Sequence, residues 1–136
     1  MFPSRLLAGC LTVTFVALAG CGESDPVRTD RPILRLTVDE YRINPQNSSV
    51  RPGRIKITVL NTGRLTHNIV IQTPATEPRD RPMQVPGGRV KSMKPGEEAE
   101  PIKVTLAPGT YRIACTIANH DDLGQFGELV VEGEPL

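Results

Sequence analysis

Short runs rich in Val, Ile and Thr alternate with Pro-Gly breaks from residue 33 onward, and this alternation limits the possible folds more than any other feature. In one run, Ile55, Ile57 and Val59 alternate with polar residues, which puts three apolar side chains on one face of a strand. Such short strands with regular turn signals are typical of an all-β sandwich. Strands are predicted at residues 33–38, 54–60, 68–72, 102–106, 111–115 and 128–132.

The stretch from residue 73 to residue 100 is rich in proline, glycine and charged residues. It is predicted to form loops around one weak edge strand at residues 89–93. No part of the chain shows the apolar period of a helix, and no internal repeat is visible. Because aromatic residues make up only 4% of the chain, the core must be built mainly from Val, Ile and Leu, which favours strands.

The first twenty residues have the features of a secretory signal. A single positive charge at Arg5 precedes an apolar stretch that is shorter than the roughly 20 apolar residues of a membrane-spanning helix. The stretch ends in the tetrad L-A-G-C at Cys21, which resembles the lipobox of bacterial lipoproteins. The same tetrad at Cys10 has almost no apolar run before it. The alternative is an ordinary cleaved signal with a coincidental cysteine.

We therefore expect residues 1–20 to be a lipoprotein signal peptide, residues 21–32 to be a lipidated N-terminus and flexible tether, and residues 33–136 to be the folded domain. Acyl chains on Cys21 would anchor the protein to the outer face of the cell membrane or to the periplasmic side of a bacterial membrane. The net charge is +1, and the chain beyond the signal contains 15 basic and 15 acidic residues. This balance makes nucleic acid an unsuitable partner.

Cys115 is the one cysteine that remains for the folded domain once the signal and the lipidation site are set aside. An intramolecular disulfide is then impossible, although an exported protein meets an oxidising environment. A lone thiol of this kind is an inert buried side chain, a nucleophile or a metal ligand.

Three sequence features are arranged around Cys115. The pattern N-x-G-x-x-x-H-N runs from Asn61 to Asn68, the pattern Y-x-x-x-C ends at Cys115, and His120 and Gln125 follow at intervals of five. This arrangement resembles that of cupredoxins, the plastocyanin- and azurin-like blue copper proteins, which carry N-x-G-x-x-x-H-N early and Y-x-x-x-C-x₄-H-x₄-M late. The resemblance covers roughly the whole mature domain and implies a Greek-key β-sandwich.

On that resemblance, His67, Cys115 and His120 take the positions of three equatorial ligands of one copper ion. Gln125 stands where most members have an axial Met and where the plant stellacyanins have Gln. A trigonal His₂Cys set with a weak axial ligand suits copper, because the soft thiolate serves Cu(I) and the imidazoles serve both Cu(I) and Cu(II). As a loop residue, Gln125 is expected to be replaceable by Met with little effect on the fold.

Two further residues are expected to support the ligands. Asn68 matches a family residue that bridges the ligand loops and hydrogen-bonds near the cysteine sulfur, and Thr116 is expected to help in the same way. Asn119 stands before His120 where many members have Gly, which would alter the exposed edge of that ligand.

These features predict a monomeric, membrane-anchored one-electron carrier with one copper ion and redox partner proteins, and not an enzyme. A first alternative is a copper-binding module for storage, delivery, sensing or oxidase assembly. A second alternative is an enzyme with Cys115 as nucleophile and a His base, but no orienting group or oxyanion donor can be proposed for it.

Overall fold

The computed structural model describes residues 25–73 and 81–135, so the predicted signal peptide and the predicted lipidation site Cys21 lie outside the described residues. The two described ranges form ten β-strands and contain no helix long and apolar enough to cross a membrane. The strands are β1 (Val27–Thr29), β2 (Ile33–Asp39), β3 (Arg42–Asn44), β4 (Asn47–Val50), β5 (Gly53–Asn61), β6 (His67–Thr73), β7 (Met83–Met93), β8 (Ile102–Leu106), β9 (Gly109–Ala114) and β10 (Phe126–Val131).

The strands form two sheets that pack face to face. One sheet has six strands in the order β1-β4-β10-β9-β6-β7, and the other has four in the order β3-β2-β5-β8. Both sheets are mixed, because β2 pairs in parallel with β5 and β10 pairs in parallel with β4, while β9 pairs antiparallel with both β10 and β6. The predicted all-β sandwich is confirmed.

The core between the sheets is aliphatic. In β5, Ile55, Ile57 and Val59 are each 1% exposed and face the core, as their alternation predicts. Ile69 and Ile71 of β6 pack into the same cluster from the six-stranded sheet. Burying one such side chain contributes about 1.5–3 kcal/mol, so this core holds the strand ends in fixed positions.

The six strands predicted with alternation or β-rich composition all form, and their ends differ from the predicted ends by at most two residues. The predicted edge strand at residues 89–93 is longer, because β7 begins at Met83. It does lie at an edge of its sheet, where Pro86 is tolerated since one side of an edge strand needs no ladder partner. The assignment of residues 83–88 to loops was therefore wrong, and residues 74–80 lie outside the described residues.

The folded part of the chain also begins earlier than predicted. Residues 27–29, which the sequence analysis placed in the tether, form β1 and pair in parallel with β4 from Val27↔Ser48 to Thr29↔Val50. The strand is short and polar, so it carries no alternation that a sequence pattern could show. Its main-chain groups are satisfied by a neighbour that only the fold brings alongside.

The end of β2, the start of β6 and the loop between β9 and β10 meet at one end of the sandwich. The side chain of Gln125 in that loop donates a hydrogen bond to the main-chain oxygen of Asp39 at the end of β2. The main-chain N–H of Thr116 donates to the side chain of Asn68 in β6. The predicted site residues lie at this end.

Candidate metal centre

Three of the predicted ligands form one compact cluster. His67 is the first residue of β6, Cys115 directly follows β9, and His120 lies in the loop between β9 and β10. The Nδ1 atoms of His67 and His120 are 3.2 Å apart, and Cys115 Sγ lies 3.9 Å from the former and 3.6 Å from the latter. The pairing of β6 with β9 thus brings together side chains that are 48 positions apart in sequence.

The cluster is withdrawn from solvent. His67 and Cys115 are 0% exposed and His120 is 6% exposed. In the part of the chain that the structure describes, this is the only group of at least three His, Cys, Asp or Glu side chains whose ligand atoms all lie within 4.8 Å of one another. One thiol and two imidazoles with no carboxylate form a donor set that suits copper rather than Mg²⁺ or Ca²⁺.

Gln125 is fully buried although it lies in a loop. Its Nε2 donates hydrogen bonds to the main-chain oxygens of Asp39 and Arg42. Its Oε1 is buried and accepts no hydrogen bond from any residue in the described ranges. A buried acceptor without a partner costs about 1–3 kcal/mol, and a metal ion is a partner that would remove this cost. The side chain therefore fits the predicted axial role, which stays a prediction.

The loop from Cys115 to Gln125 is closed by main-chain hydrogen bonds. Cys115 N donates to Gln125 O, and Gln125 N donates to His120 O, each at a distance of 3.0 Å. Ala118 and Asn119 have φ values of 48° and 56°, in the left-handed region. Asn adopts this conformation readily, whereas for Ala it costs roughly 1–2 kcal/mol. The main-chain hydrogen bonds thus connect both ends of the loop and its histidine.

Asn68 bridges the two segments that carry His67 and Cys115. Thr116 N donates to Asn68 Oδ1 at a distance of 2.8 Å, and Asn68 Nδ2 donates to Thr116 Oγ1 at a distance of 3.0 Å. Because Asn68 follows His67 and Thr116 follows Cys115, these two bonds set the distance between two donor positions. Both predicted supporting residues therefore contact each other beside the cluster.

Glu40 contacts the cluster and was not identified from the sequence. Its Oε1 accepts hydrogen bonds from the main-chain N–H groups of Arg64 at 2.6 Å and Leu65 at 2.7 Å, and lies 3.2 Å from His67 Nε2. The N–H of Leu65 does most to lower the pKa of Glu40 from 4.5 to about 2, burial opposes this, and Arg64 and His67 add to it. No local pattern marks this residue, because its partners are 24 to 27 positions away.

A second network holds the ligand loop from the six-stranded sheet. Asp121, next to His120, forms a salt bridge of 3.2 Å with Arg112 of β9. Arg112 also donates a hydrogen bond of 2.9 Å to Gln72 Oε1, and its guanidinium lies 5.1 Å from the ring centroid of Phe126. Arg112 and Asp121 are only about a quarter exposed, so this pair orients the loop more strongly than a fully solvated pair would.

The structure is similar to those of three auracyanins. The dithionite-reduced auracyanin of the photosynthetic bacterium Roseiflexus castenholzii matches with a TM-score of 0.60 and 25% identity, over 77% of this chain and 100% of that chain. Auracyanin B matches with a TM-score of 0.61 and 16% identity, over 82% of this chain and 94% of that chain. Auracyanin A, a "blue" copper protein of Chloroflexus aurantiacus, matches with a TM-score of 0.58 and 18% identity, over 74% of this chain and 99% of that chain.

No family model matches the sequence. Among curated proteins, the copper-resistant cuproprotein CopI of Rubrivivax gelatinosus is 27% identical over 121 residues, which cover 79% of this chain and 70% of that protein. The described part of the chain therefore has the cupredoxin fold, and its cluster of His67, Cys115 and His120 fits a single copper ion of the type 1 class.

Proposed function

We propose that this protein is an extracytoplasmic one-electron carrier in which His67, Cys115 and His120 hold one copper ion and Gln125 Oε1 is a weak fourth ligand. Copper supplies one-electron redox chemistry by alternating between Cu(I) and Cu(II). The observation that supports this proposal is that the fold itself assembles three buried donors whose ligand atoms lie within 4.8 Å of one another. Such a preset shell keeps the rearrangement between the two oxidation states small.

The residues around the donors keep them in place and keep water out. The bridge between Asn68 and Thr116 joins the His67 and Cys115 positions, and the pair of Arg112 and Asp121 holds the loop of His120. Side chains fixed in this way need little ordering when the metal changes charge.

His120 is the donor nearest to the surface, since it is 6% exposed and the other two donors are fully buried. Leu123 in the same loop is 59% exposed, and Phe126 at the start of β10 is 43% exposed. Exposed apolar side chains beside a ligand suit brief contact with a redox partner protein. We propose that electrons pass at His120, that the protein acts as a monomer, and that it is not an enzyme.

Copper handling is a second candidate function. The relative CopI is named a copper-resistant cuproprotein, and this chain matches 70% of its length. A protein that stores, delivers or senses copper, or supports oxidase assembly, would exchange the metal with a partner. An electron carrier would retain it.

Visible absorption and EPR of the Cu(II)-loaded full chain carrying Cys21→Ala test the class of the site. A strong thiolate-to-copper band with narrow hyperfine splitting is expected. A weak band with wide splitting would contradict the type 1 assignment.

A second measurement separates the carrier from the copper-handling protein. Mixed Cu(I) and Cu(II) forms should show rapid electron self-exchange by NMR line broadening, while a competing Cu(I) chelator removes copper slowly. Leu123→Lys should slow self-exchange without changing the absorption spectrum. Met83→Lys is the matched control, because Met83 is 71% exposed on β7 and lies outside the ligand loop. Rapid loss of copper together with slow self-exchange would favour copper handling.

We also propose that Cys21 is lipidated and anchors the protein. Cys21→Ala should move the protein from the membrane fraction to the soluble fraction and leave copper binding intact. Membrane retention of this variant, with no lipid mass on the parent protein, would contradict the anchor.

A further inference from the structure

We infer that Glu40 is a positioning residue for His67: its carboxylate accepts the Nε2–H of the ring, directs Nδ1 to the metal, and lowers the reduction potential through its negative charge. This inference rests on the proposed function, because it assigns a role toward the same copper site.

The two ring nitrogens of His67 face different surroundings. Nδ1 lies 3.9 Å from Cys115 Sγ and 3.2 Å from His120 Nδ1, whereas Nε2 lies 3.2 Å from Glu40 Oε1. A neutral imidazole has one N–H donor and one acceptor nitrogen, and a carboxylate can only accept. Glu40 therefore favours the tautomer with the proton on Nε2 and the free lone pair on Nδ1. Ligating histidines commonly donate their other N–H to a carboxylate or a carbonyl in this way.

The carboxylate of Glu40 is itself held in place. The same Oε1 that faces His67 accepts the main-chain N–H groups of Arg64 and Leu65, two residues of the loop that leads to His67. The side chain is 29% exposed, so it is partly shielded from water. A carboxylate held by two main-chain donors does not follow the ring if the ring rotates, and this makes it an orienting contact.

Gly63 gives an independent reason to assign this arrangement to the fold. A Cβ atom at this position would overlap Glu40 Oε1 and would come within 3.0 Å of Asp39 Cα. Gly63 is not among the residues with positive φ, so glycine is needed here for space and not for backbone conformation. Part of the N-x-G-x-x-x-H-N pattern thus serves to admit the carboxylate of Glu40.

A fixed negative charge beside a metal ligand stabilises Cu(II) more than Cu(I), because the interaction grows with the charge of the ion. Its removal should raise the reduction potential. The neighbouring Asp39 offers a matched control, since its carboxylate pairs with Arg42 at 3.2 Å and makes no hydrogen bond to His67.

Two measurements on the full chain carrying Cys21→Ala test the inference. First, ¹⁵N NMR of the metal-free protein should show neutral His67 with its proton on Nε2, and Glu40→Ala should populate both tautomers. Second, Glu40→Gln keeps an acceptor for the loop N–H groups but removes the charge. It should lower Cu(II) affinity relative to Cu(I) by about tenfold or more, which is about 59 mV per factor of ten for one electron.

Asp39→Asn should leave the potential of the parent protein unchanged, and Gly63→Ala should shift it in the same direction as Glu40→Gln. The inference is overturned if metal-free His67 carries its proton on Nδ1, or if Glu40→Gln changes the potential no more than Asp39→Asn does. Absence of a type 1 spectrum in the parent would instead contradict the proposed function, and the tautomer measurement would still judge the role of Glu40.

Discussion

Replacing Asn68 with alanine should destabilise the metal-free protein by about 2 kcal/mol, because the side chain makes two short hydrogen bonds to Thr116 and each contributes about 1 kcal/mol net. Asn68 is 5% exposed, so water replaces these bonds poorly. In a domain of this size the loss corresponds to a decrease of roughly 8 °C in Tm. Urea unfolding of the metal-free chain carrying Cys21→Ala measures the effect without any contribution from copper.

A double-mutant cycle with Thr116→Val isolates one of the two bonds. Valine removes the Oγ1 acceptor and keeps the main-chain N–H, so this change alone should cost about 1 kcal/mol. The double variant should be about as stable as Asn68→Ala, which gives a coupling energy of about 1 kcal/mol. Asn47→Ala is the matched control, because Asn47 Oδ1 accepts one long hydrogen bond of 3.3 Å from Glu128 N. The loss of stability in this variant should therefore be smaller.

Additive effects in this cycle would refute the reasoning, since they would mean that the bridge contributes no coupling between the two segments. The bridge also predicts a loss of about 10- to 100-fold in copper affinity for Asn68→Ala, measured by competition with a chelator. An unchanged affinity would show that the spacing of His67 and Cys115 does not depend on Asn68.

Three other substitutions test separate parts of the site and fold. Cys115→Ser should abolish the intense absorption band, because a hydroxyl cannot form the thiolate bond to copper, and an unchanged spectrum would contradict the type 1 assignment. Gln125→Met should raise the reduction potential, because a thioether stabilises Cu(I) better than an amide oxygen does; voltammetry without a shift would indicate that Gln125 is not a ligand. Gly127→Ala should lower the stability to urea by more than about 2 kcal/mol, because its Cβ would overlap the main-chain oxygen of Gln46, while Glu128→Ala should stay within about 0.5 kcal/mol of the parent.

The predictability of the strands followed from how each one is buried. The strand of Ile55, Ile57 and Val59 buries one face, so its period of two is visible in the sequence. The strands β1, β3 and β4 have three or four residues and mostly polar sequences, and they form because their main-chain groups pair with neighbouring strands. Pairing of this kind leaves no apolar period in the sequence. The start of β7 at Met83 likewise shows no apolar period.

The sequence alone was enough to identify the candidate donors and how three of them are grouped. Cys115, His120 and Gln125 follow one another at intervals of five, and together with the pattern around His67 they resemble the cupredoxin pattern. Spacing along a single loop is a local property, which is why it could be read without a structure.

Only the tertiary structure decided what surrounds those donors. The contact of Glu40 with His67 spans 27 positions, and the hydrogen bonds donated by the buried side chain of Gln125 span 86 and 83 positions. Such contacts depend on how the end of β2 packs beside the ligand loops, and that arrangement results from the whole aliphatic core rather than from any short segment. The candidate donors are thus a property of local sequence, whereas their orientation and burial are properties of the packed sandwich.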